Sequence, residues 1–230
     1  MSSENSTSSC AFYDDAEKYW QHISPTVSGM LGGHADVHQV DIEGSNKFLT
    51  ALFRQRANLG TERACDCGAG IGRITKTLLQ KYFSVIDLVE QNEAFLDEAR
   101  TNILKDSTKV GQFFCTGLQN FTPEPKTYDV IWCQWVLGHL TDDDLLAFFT
   151  RCKTGLRGNG ILVVKENVTS NGDVDFDQED SSVTRPAKLL KELIRKAGFN
   201  LIKETKQRQF PSDLYPVYMY AAAPSNPHAS

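Results

Sequence analysis

The chain has 230 residues, 40% hydrophobic and 23% charged, which is enough for one α/β domain with a sizeable core. Its formal net charge of −5 argues against a protein that grips nucleic acid through phosphates. No apolar run reaches the roughly 18 residues that a membrane-spanning helix needs.

The first ten residues, MSSENSTSSC, are polar and contain no apolar core of a secretory signal, so 1–11 is expected to be a disordered tail. Residues 12–22 show a helical pattern with Phe12, Ala16, Tyr19 and Trp20 on one face. SPTVSGMLGG (24–33) breaks that pattern with Pro25, Gly29, Gly32 and Gly33 and reads as a loop. A second helix is expected over 45–57, with Phe48, Leu49, Leu52 and Phe53 turned inward. The segment up to residue 44 reads as a helical extension folded over the sheet.

From about residue 63 strands and helices alternate. The strands are ERACDC, SVIDLVE, QFFCTG, YDVIWCQWVL and GILVVKEN, with helices in RITKTLLQKYF, EAFLDEARTNIL and DDLLAFFTRCKTGL. A long acidic loop and the helix PAKLLKELIRKAG follow, and NLIKETKQRQ and YPVYMYAA are the last strands. Such alternation predicts a Rossmann-like α/β fold: a mostly parallel, seven-stranded sheet with helices on both faces. The link FPSDL is too short for a parallel crossover, so the last two strands should form an antiparallel hairpin at one edge. A single domain over 12–230 is expected. The six cysteines include no CxxC pair and read as reduced, mostly buried thiols of a cytosolic or nuclear protein.

The stretch CDCGAGIGR (65–73) raises the question of a ligand. A P-loop is excluded because no GK[ST] follows the glycines. Gly68 and Gly70 fit a dinucleotide fingerprint, but its third glycine would fall at Arg73, a cation able to reach along a ligand. Glu90 ends the next strand, 22 residues after Gly68, and suits a ribose-hydroxyl acceptor in either NAD or S-adenosylmethionine. S-adenosylmethionine has no phosphate but carries a carboxylate, with which Arg73 can pair, and an amine, which Asp66 or a loop carbonyl can face. The pattern of Asp66, Gly68, Gly70 and Gly72 resembles motif I of class I methyltransferases. That resemblance implies S-adenosyl-L-methionine as cofactor and places Leu118 and Gln119 along its adenine. Gln134, near the end of the fourth strand, faces the expected ligand crevice, and Trp135 and His139 should share the site.

Longer stretches narrow the resemblance. PTVSGMLGG (25–33), DCGAGIGRITK (66–76), GLQNFTPEP (117–125), YDVIWCQWVLGHLTD (128–142), RCKTGLRGNGILVVKEN (151–167) and DSSV (180–183) are similar to the protein α-N-terminal methyltransferases. Those enzymes methylate exposed N-termini of the Xaa-Pro-Lys type. The resemblance covers nearly the whole chain beyond residue 11, and the WVLGHLTD and PTVSGMLGG segments are its most specific parts. It departs at Glu90, where relatives can have aspartate, and within the acidic loop 168–180. It implies that Asp177 lies near the substrate's third-residue lysine and Asp180 near its terminal nitrogen.

The residues fit that substrate class independently. Asp173, Asp175, Asp177, Glu179 and Asp180 form a base-free run leaving the fifth strand, suited to clamp a cationic peptide. Trp135 and Trp20 can hold a flat proline ring and pack around a cation, with Tyr215 and Leu31 closing the walls. Asn167 can hydrogen-bond the peptide backbone. Asp180 and His139 are the expected proton acceptors, and no metal is expected. The implied partners are proteins with exposed Xaa-Pro-Lys N-termini, met in nucleus and cytoplasm by a monomer that needs neither nucleic acid nor membrane. A small-molecule methyltransferase is the alternative, which would not need a wide acidic entrance. An NAD-dependent oxidoreductase fits poorly with Arg73 and the terminal hairpin, and a non-catalytic module could keep the glycine loop.

Overall fold

The computed structural model describes residues 3–225, with side chains from residue 11 onward. The chain opens with α1 (Ser3–Gln21), the single turn α2 (Val27–Met30) and α3 (His38–Gln55). Alternation then runs through β1 (Arg63–Cys67), α4 (Arg73–Thr77), β2 (Val85–Glu90), α5 (Glu93–Glu98), β3 (Val110–Cys115), β4 (Tyr128–Gln134), α6 (Asp142–Gly155) and β5 (Leu156–Thr169). A short pair, β6 (Asp175–Asp177) and β7 (Ser182–Pro186), precedes α7 (Ala187–Lys196), β8 (Phe199–Lys206) and β9 (Val217–Pro224).

The expected strands occur in the order β3-β2-β1-β4-β5-β9-β8. The first five pair in parallel, while β9 runs antiparallel to both β5 and β8. Strand order reverses between β1 and β4, which places a ligand crevice outside their carboxyl ends. β6 and β7 raise the total to nine strands. They correct the reading of the acidic stretch as a plain loop: β7 extends the end of β5 in parallel, and β6 folds back on β7.

Other boundaries differ locally. α1 extends back to Ser3, into the stretch expected to be a loose tail, because lengthening an existing helix avoids the cost of nucleating one. Residues 1–2 of that tail lie outside the described residues. α3 begins at His38, seven residues earlier than the apolar pattern suggests, since its first two turns bury Asp41, Ile42 and Ser45 rather than a continuous apolar face. The helix after β2 loosens into a π-helical turn over Ala99–Ile103.

Alternation along the strands divides the core. Cys65, Cys67, Ile131, Cys133, Leu162 and Val164 face α6 and α7 through Leu145, Phe148, Phe149, Leu190 and Ile194. Ala64, Val130, Trp132, Ile161 and Val163 face α3 and α4 through Phe48, Leu49, Leu52, Ile74 and Leu78. All seven β4 residues are buried, as a central parallel strand requires. Each large apolar side chain on these faces contributes roughly 1.5–3 kcal/mol by leaving water. Four of the five described cysteines are buried and Cys115 is exposed.

Two buried polar side chains hold the turn between β4 and α6. Glu166 accepts the backbone N–H groups of Val136 and Leu137, both at 2.8 Å. Arg185 donates to the carbonyls of Leu137 (2.9 Å) and Leu140 (2.5 Å) and to Asp142 (2.7 Å). The turn is thus tied at its donors and at its acceptors, and His139 lies within it. Thr141 then caps α6 by accepting the Asp144 N–H at 3.2 Å.

Burial pushes the Glu166 carboxyl up to about 7, against the lowering effect of its backbone donors and Arg185. The native state therefore holds a proton that the unfolded chain releases near 4.5, and stability conferred by this group falls as pH rises between those values. Glu166→Gln keeps an acceptor and removes the titration. Thermal melts at pH 5 and pH 7.5 should show the wild type losing about 2 kcal/mol relative to the variant over that interval.

Candidate active site

The crevice at the switch point contains two adjoining cavities. The first is lined by Gly68, Gly70, Arg73, Glu90, Leu118, Gln119 and Gln134, which gathers the residues expected at the cofactor apart from Asp66. The second is lined by Trp20, Leu31, Trp135, His139, Asn167, Asp177, Asp180 and Tyr215, which gathers every residue expected at the peptide or its proton. Trp20, Met30, Trp135 and His139 line both and form the partition.

The glycine loop fits a close ligand. Gly68 (φ 71°) and Gly70 (φ 54°) both adopt left-handed backbone. A Cβ on Gly68 would stand 2.4 Å from Val136, and one on Gly70 would stand 2.5 Å from the Met30 sulfur, so side chains there would invade the cavity. Glu90 accepts the Gly70 N–H at 3.0 Å and the Asn92 N–H at 2.9 Å, one on each oxygen. Each oxygen keeps a lone pair for a ribose hydroxyl. Burial raises the Glu90 carboxyl, and the backbone donors oppose that rise. Arg151, on α6, fixes the opposite wall by donating to the carbonyls of Leu118 (2.8 Å) and Gln119 (3.0 Å).

Asp66 does not face the ligand. Its carboxylate accepts the Thr75 hydroxyl at 2.7 Å and the Thr75 N–H at 3.0 Å, clamping the first turn of α4. Burial raises it to about 6. Of the two groups expected to face the cofactor amine, Asp66 or a loop carbonyl, Asp66 is turned to Thr75, which leaves the loop carbonyls.

Trp135 has a left-handed backbone (φ 54°), a strained conformation for a bulky residue. Its N–H reaches the Lys165 carbonyl at 3.0 Å, so the chain leaves β4 with the indole turned between the two cavities. Arg73 lies 5.5 Å from the ring centre and Lys165 lies 5.8 Å from it. Ser181, next to Asp180, is also left-handed (φ 53°).

Three buried polar atoms at this site have no hydrogen-bond partner among the described residues: Trp135 Nε1, His139 Nδ1 and Asp180 Oδ1. Buried polar groups are ordinarily paired, so their concentration here marks a place built for a polar ligand. Trp20 donates its indole N–H to His139 Nε2 at 3.0 Å. Indole nitrogen can only donate, so this contact requires a lone pair on Nε2 and fixes His139 as the neutral Nδ1-protonated tautomer. Burial lowers the His139 pKa, while Asp180, whose Oδ2 lies 4.0 Å from Nε2, raises it.

Asp177 and Tyr215 form the outer rim. Asp177 accepts the Glu179 N–H at 2.8 Å, and Tyr215 donates to Asp175. The apolar pattern gave no sign of several other contributors: Met30 in the partition, Asp41 behind Arg73, and Glu166 beneath the His139 turn. Lys165 did leave a signal, a lone cation inside the buried run GILVVKEN.

A motif I glycine loop, a ribose-type carboxylate and a cation at one end of the crevice, on this sheet order, define an S-adenosylmethionine-dependent class I methyltransferase. Residues 8–223 match the family of AdoMet dependent proline di-methyltransferases. The chain is 46% identical over 223 residues to N-terminal Xaa-Pro-Lys N-methyltransferase 1-A of Xenopus laevis, a match covering 96% of this chain and 99% of the relative. It is 49% identical over 212 residues to N-terminal Xaa-Pro-Lys N-methyltransferase 1 of Danio rerio, covering 92% and 95%. A SAM-dependent methyltransferase from Leishmania major has the same fold with a TM-score of 0.86 at 42% identity, over 92% of this chain and 82% of that one. The chain belongs to the AdoMet dependent proline di-methyltransferase family.

The Trp20 contact makes a measurable statement about His139. A donated hydrogen bond stabilises the neutral ring, so removing it favours protonation. The NMR titration of His139 should have its midpoint below 6.5 in the wild type and move upward in Trp20→Phe. An unchanged midpoint would show that the indole does not set the tautomer.

Proposed function

We propose that this enzyme transfers methyl groups from S-adenosylmethionine to the α-amino nitrogen of protein N-termini of the Xaa-Pro-Lys type. The observation that carries the reading is the junction of the two cavities at Trp20, Trp135 and His139, with an acidic hairpin forming the outer wall. When bound, S-adenosylmethionine supplies a methyl group on a sulfonium, and the attacking nitrogen must present a free lone pair.

An α-amine has a pKa of about 8, so it arrives mostly as ammonium at neutral pH. Asp177, exposed on β6, attracts the third-residue lysine at the rim. Trp135 offers its face to the proline ring, and Trp20 and Leu31 close over it. Asn167 lines the same cavity and supplies a polar contact for the peptide backbone. Asp180 presents an unpartnered Oδ1, and His139 an Nε2 lone pair already oriented toward a donor. The ammonium can replace the Trp20 indole at His139 or lodge against Asp180, and either group then takes its proton. Repetition stops once the nitrogen is quaternary, or dimethylated in the case of proline, because no removable proton remains.

Mass spectrometry of an Xaa-Pro-Lys peptide incubated with S-adenosylmethionine and the enzyme should show added methyl groups, and the N-acetylated peptide should show none. Methylation of the acetylated peptide would place the acceptor elsewhere. Asp180→Asn should lower kcat by roughly 10²–10⁴-fold while S-adenosylhomocysteine affinity changes little. Equal loss of both would remove Asp180 from the proton transfer. Asp177→Asn should raise the peptide KM by about two- to fivefold with kcat unchanged, as expected for an exposed ion pair.

A further inference from the structure

Behind the cofactor cavity lies a charged cluster with no direct access to the peptide. Asp41 is wholly buried, Lys165 is wholly buried, and the Arg73 side chain is 6% exposed. Asp41 divides its carboxylate. One oxygen accepts Arg73 Nη1 at 2.6 Å; the other accepts Gln134 Nε2 at 2.8 Å and is ion-paired with Lys165 Nζ, 2.5 Å away. Lys165 Nζ also donates to Ser45 Oγ at 2.9 Å, Gln207 Oε1 at 2.9 Å and the Asp41 carbonyl at 3.1 Å.

The charge count is unusual for a buried cluster: two cations share one carboxylate, and the ion pair with Asp41 holds the Lys165 charge against burial and Arg73, which lower its pKa. His38 contributes no charge, because Arg73 Nη1 approaches its Nδ1 at 3.3 Å and both burial and Arg73 lower its pKa. The nearby carboxylates are occupied elsewhere, Asp66 by Thr75 and Glu90 by the backbone N–H groups of Gly70 and Asn92. Arg73 spends Nη1 on Asp41 and His38, while its guanidinium still borders the cavity. An Asp41–Arg73 pair alone would be neutral and would attract an anion weakly. Lys165 draws on the same carboxylate and leaves positive charge at Arg73.

We propose that Lys165 and Asp41 are positioning residues for the carboxylate end of the cofactor: Lys165 offsets Asp41, so that Arg73, aimed by Asp41, remains an anion receptor. The inference rests on Arg73 being the group that meets that carboxylate. Neither Lys165 nor Asp41 touches the reacting atoms.

Two ligands separate this role from a general structural one. S-adenosylhomocysteine carries the carboxylate; 5′-methylthioadenosine has the same nucleoside and thioether without the amino-acid end. By isothermal titration calorimetry on the full-length protein, Lys165→Met should weaken S-adenosylhomocysteine by about tenfold or more, the scale of one charge-assisted hydrogen bond. It should change 5′-methylthioadenosine by less than about twofold. The double variant Asp41→Asn with Lys165→Met removes both charges and leaves Arg73 unopposed, so it should recover S-adenosylhomocysteine affinity to within about threefold of the wild type. Equal weakening of both ligands by Lys165→Met, or a double variant as weak as the single one, would overturn the proposal. If Lys165→Met fails to fold, Lys165→Gln, which keeps a polar group but no charge, is measured against both ligands by the same thresholds. Arg73→Met tests the underlying assignment. Loss of discrimination there with none in Lys165→Met sinks only the positioning role, and no loss in Arg73→Met sinks the assignment itself.

Discussion

The Asp41 carboxylate ties the amino-terminal helices to the sheet. It is carried by α3 and receives bonds from Arg73 at the start of α4, Gln134 at the end of β4 and Lys165 within β5. Removing a carboxylate from water costs several kcal/mol, and the cost is offset only while its partners stay in place. α3 therefore cannot slide along the sheet without leaving an unpaired ion in the interior. That constraint fixes what precedes α3. The loop with Met30 and Leu31 and the end of α1 with Trp20 are held over the crevice, so the roof of the site is positioned by a bond made beneath its floor.

The strained turn after β4 does the corresponding work from the other side. A strand residue after Gln134 would point into one helical layer or the other. Left-handed backbone at Trp135 instead swings the indole between the cavities, with cations near its face. Glu166 and Arg185 hold the following turn by its donors and carbonyls, so the strain does not relax by unwinding it. His139 then lies where Trp20 can reach it, and one wall serves both ligands.

The sheet and most of its order were legible because buried parallel strands leave apolar runs such as YDVIWCQ and ILVV, and glycines with left-handed backbone leave a fixed spacing. That the candidate residues gather in one crevice was legible for a different reason. Their motifs resemble a known family, and the strands deliver their carboxyl ends to one crevice. What escaped was long-range pairing. The only local mark of Asp41 is a polar residue in an amphipathic helix, and its partners lie 32, 93 and 124 positions away. The choice between Asp66 and a loop carbonyl stayed open in sequence because a carboxylate beside a glycine loop looks the same whether it faces a ligand or the next helix. The β6–β7 hairpin was missed because its β6 residues are exposed and acidic, with no alternating apolar face to announce a strand.

Burial is graded across the second cavity, and under the proposed reaction the gradient addresses a conflict in the chemistry. Carboxylates that attract an ammonium also raise its pKa and so oppose its deprotonation. At the rim, the β6 acids stand in water, where they steer a cationic chain end but perturb its proton little. Deeper in, the side chains of Asp180 and His139 are 23% and 16% exposed. Asp180 there can hold the ammonium strongly, yet the adjoining imidazole is kept neutral by burial and by the indole bond. If His139 takes the proton, it enters a site where burial disfavours the charged ring, which favours its release to solvent and restores the base for another cycle. Uniformly exposed acids would bind the chain end without activating it, and a uniformly buried pair would resist admitting a charged chain at all. The proposed division, capture at the wet edge and deprotonation beside the partition, thus matches the depth at which the fold places each group.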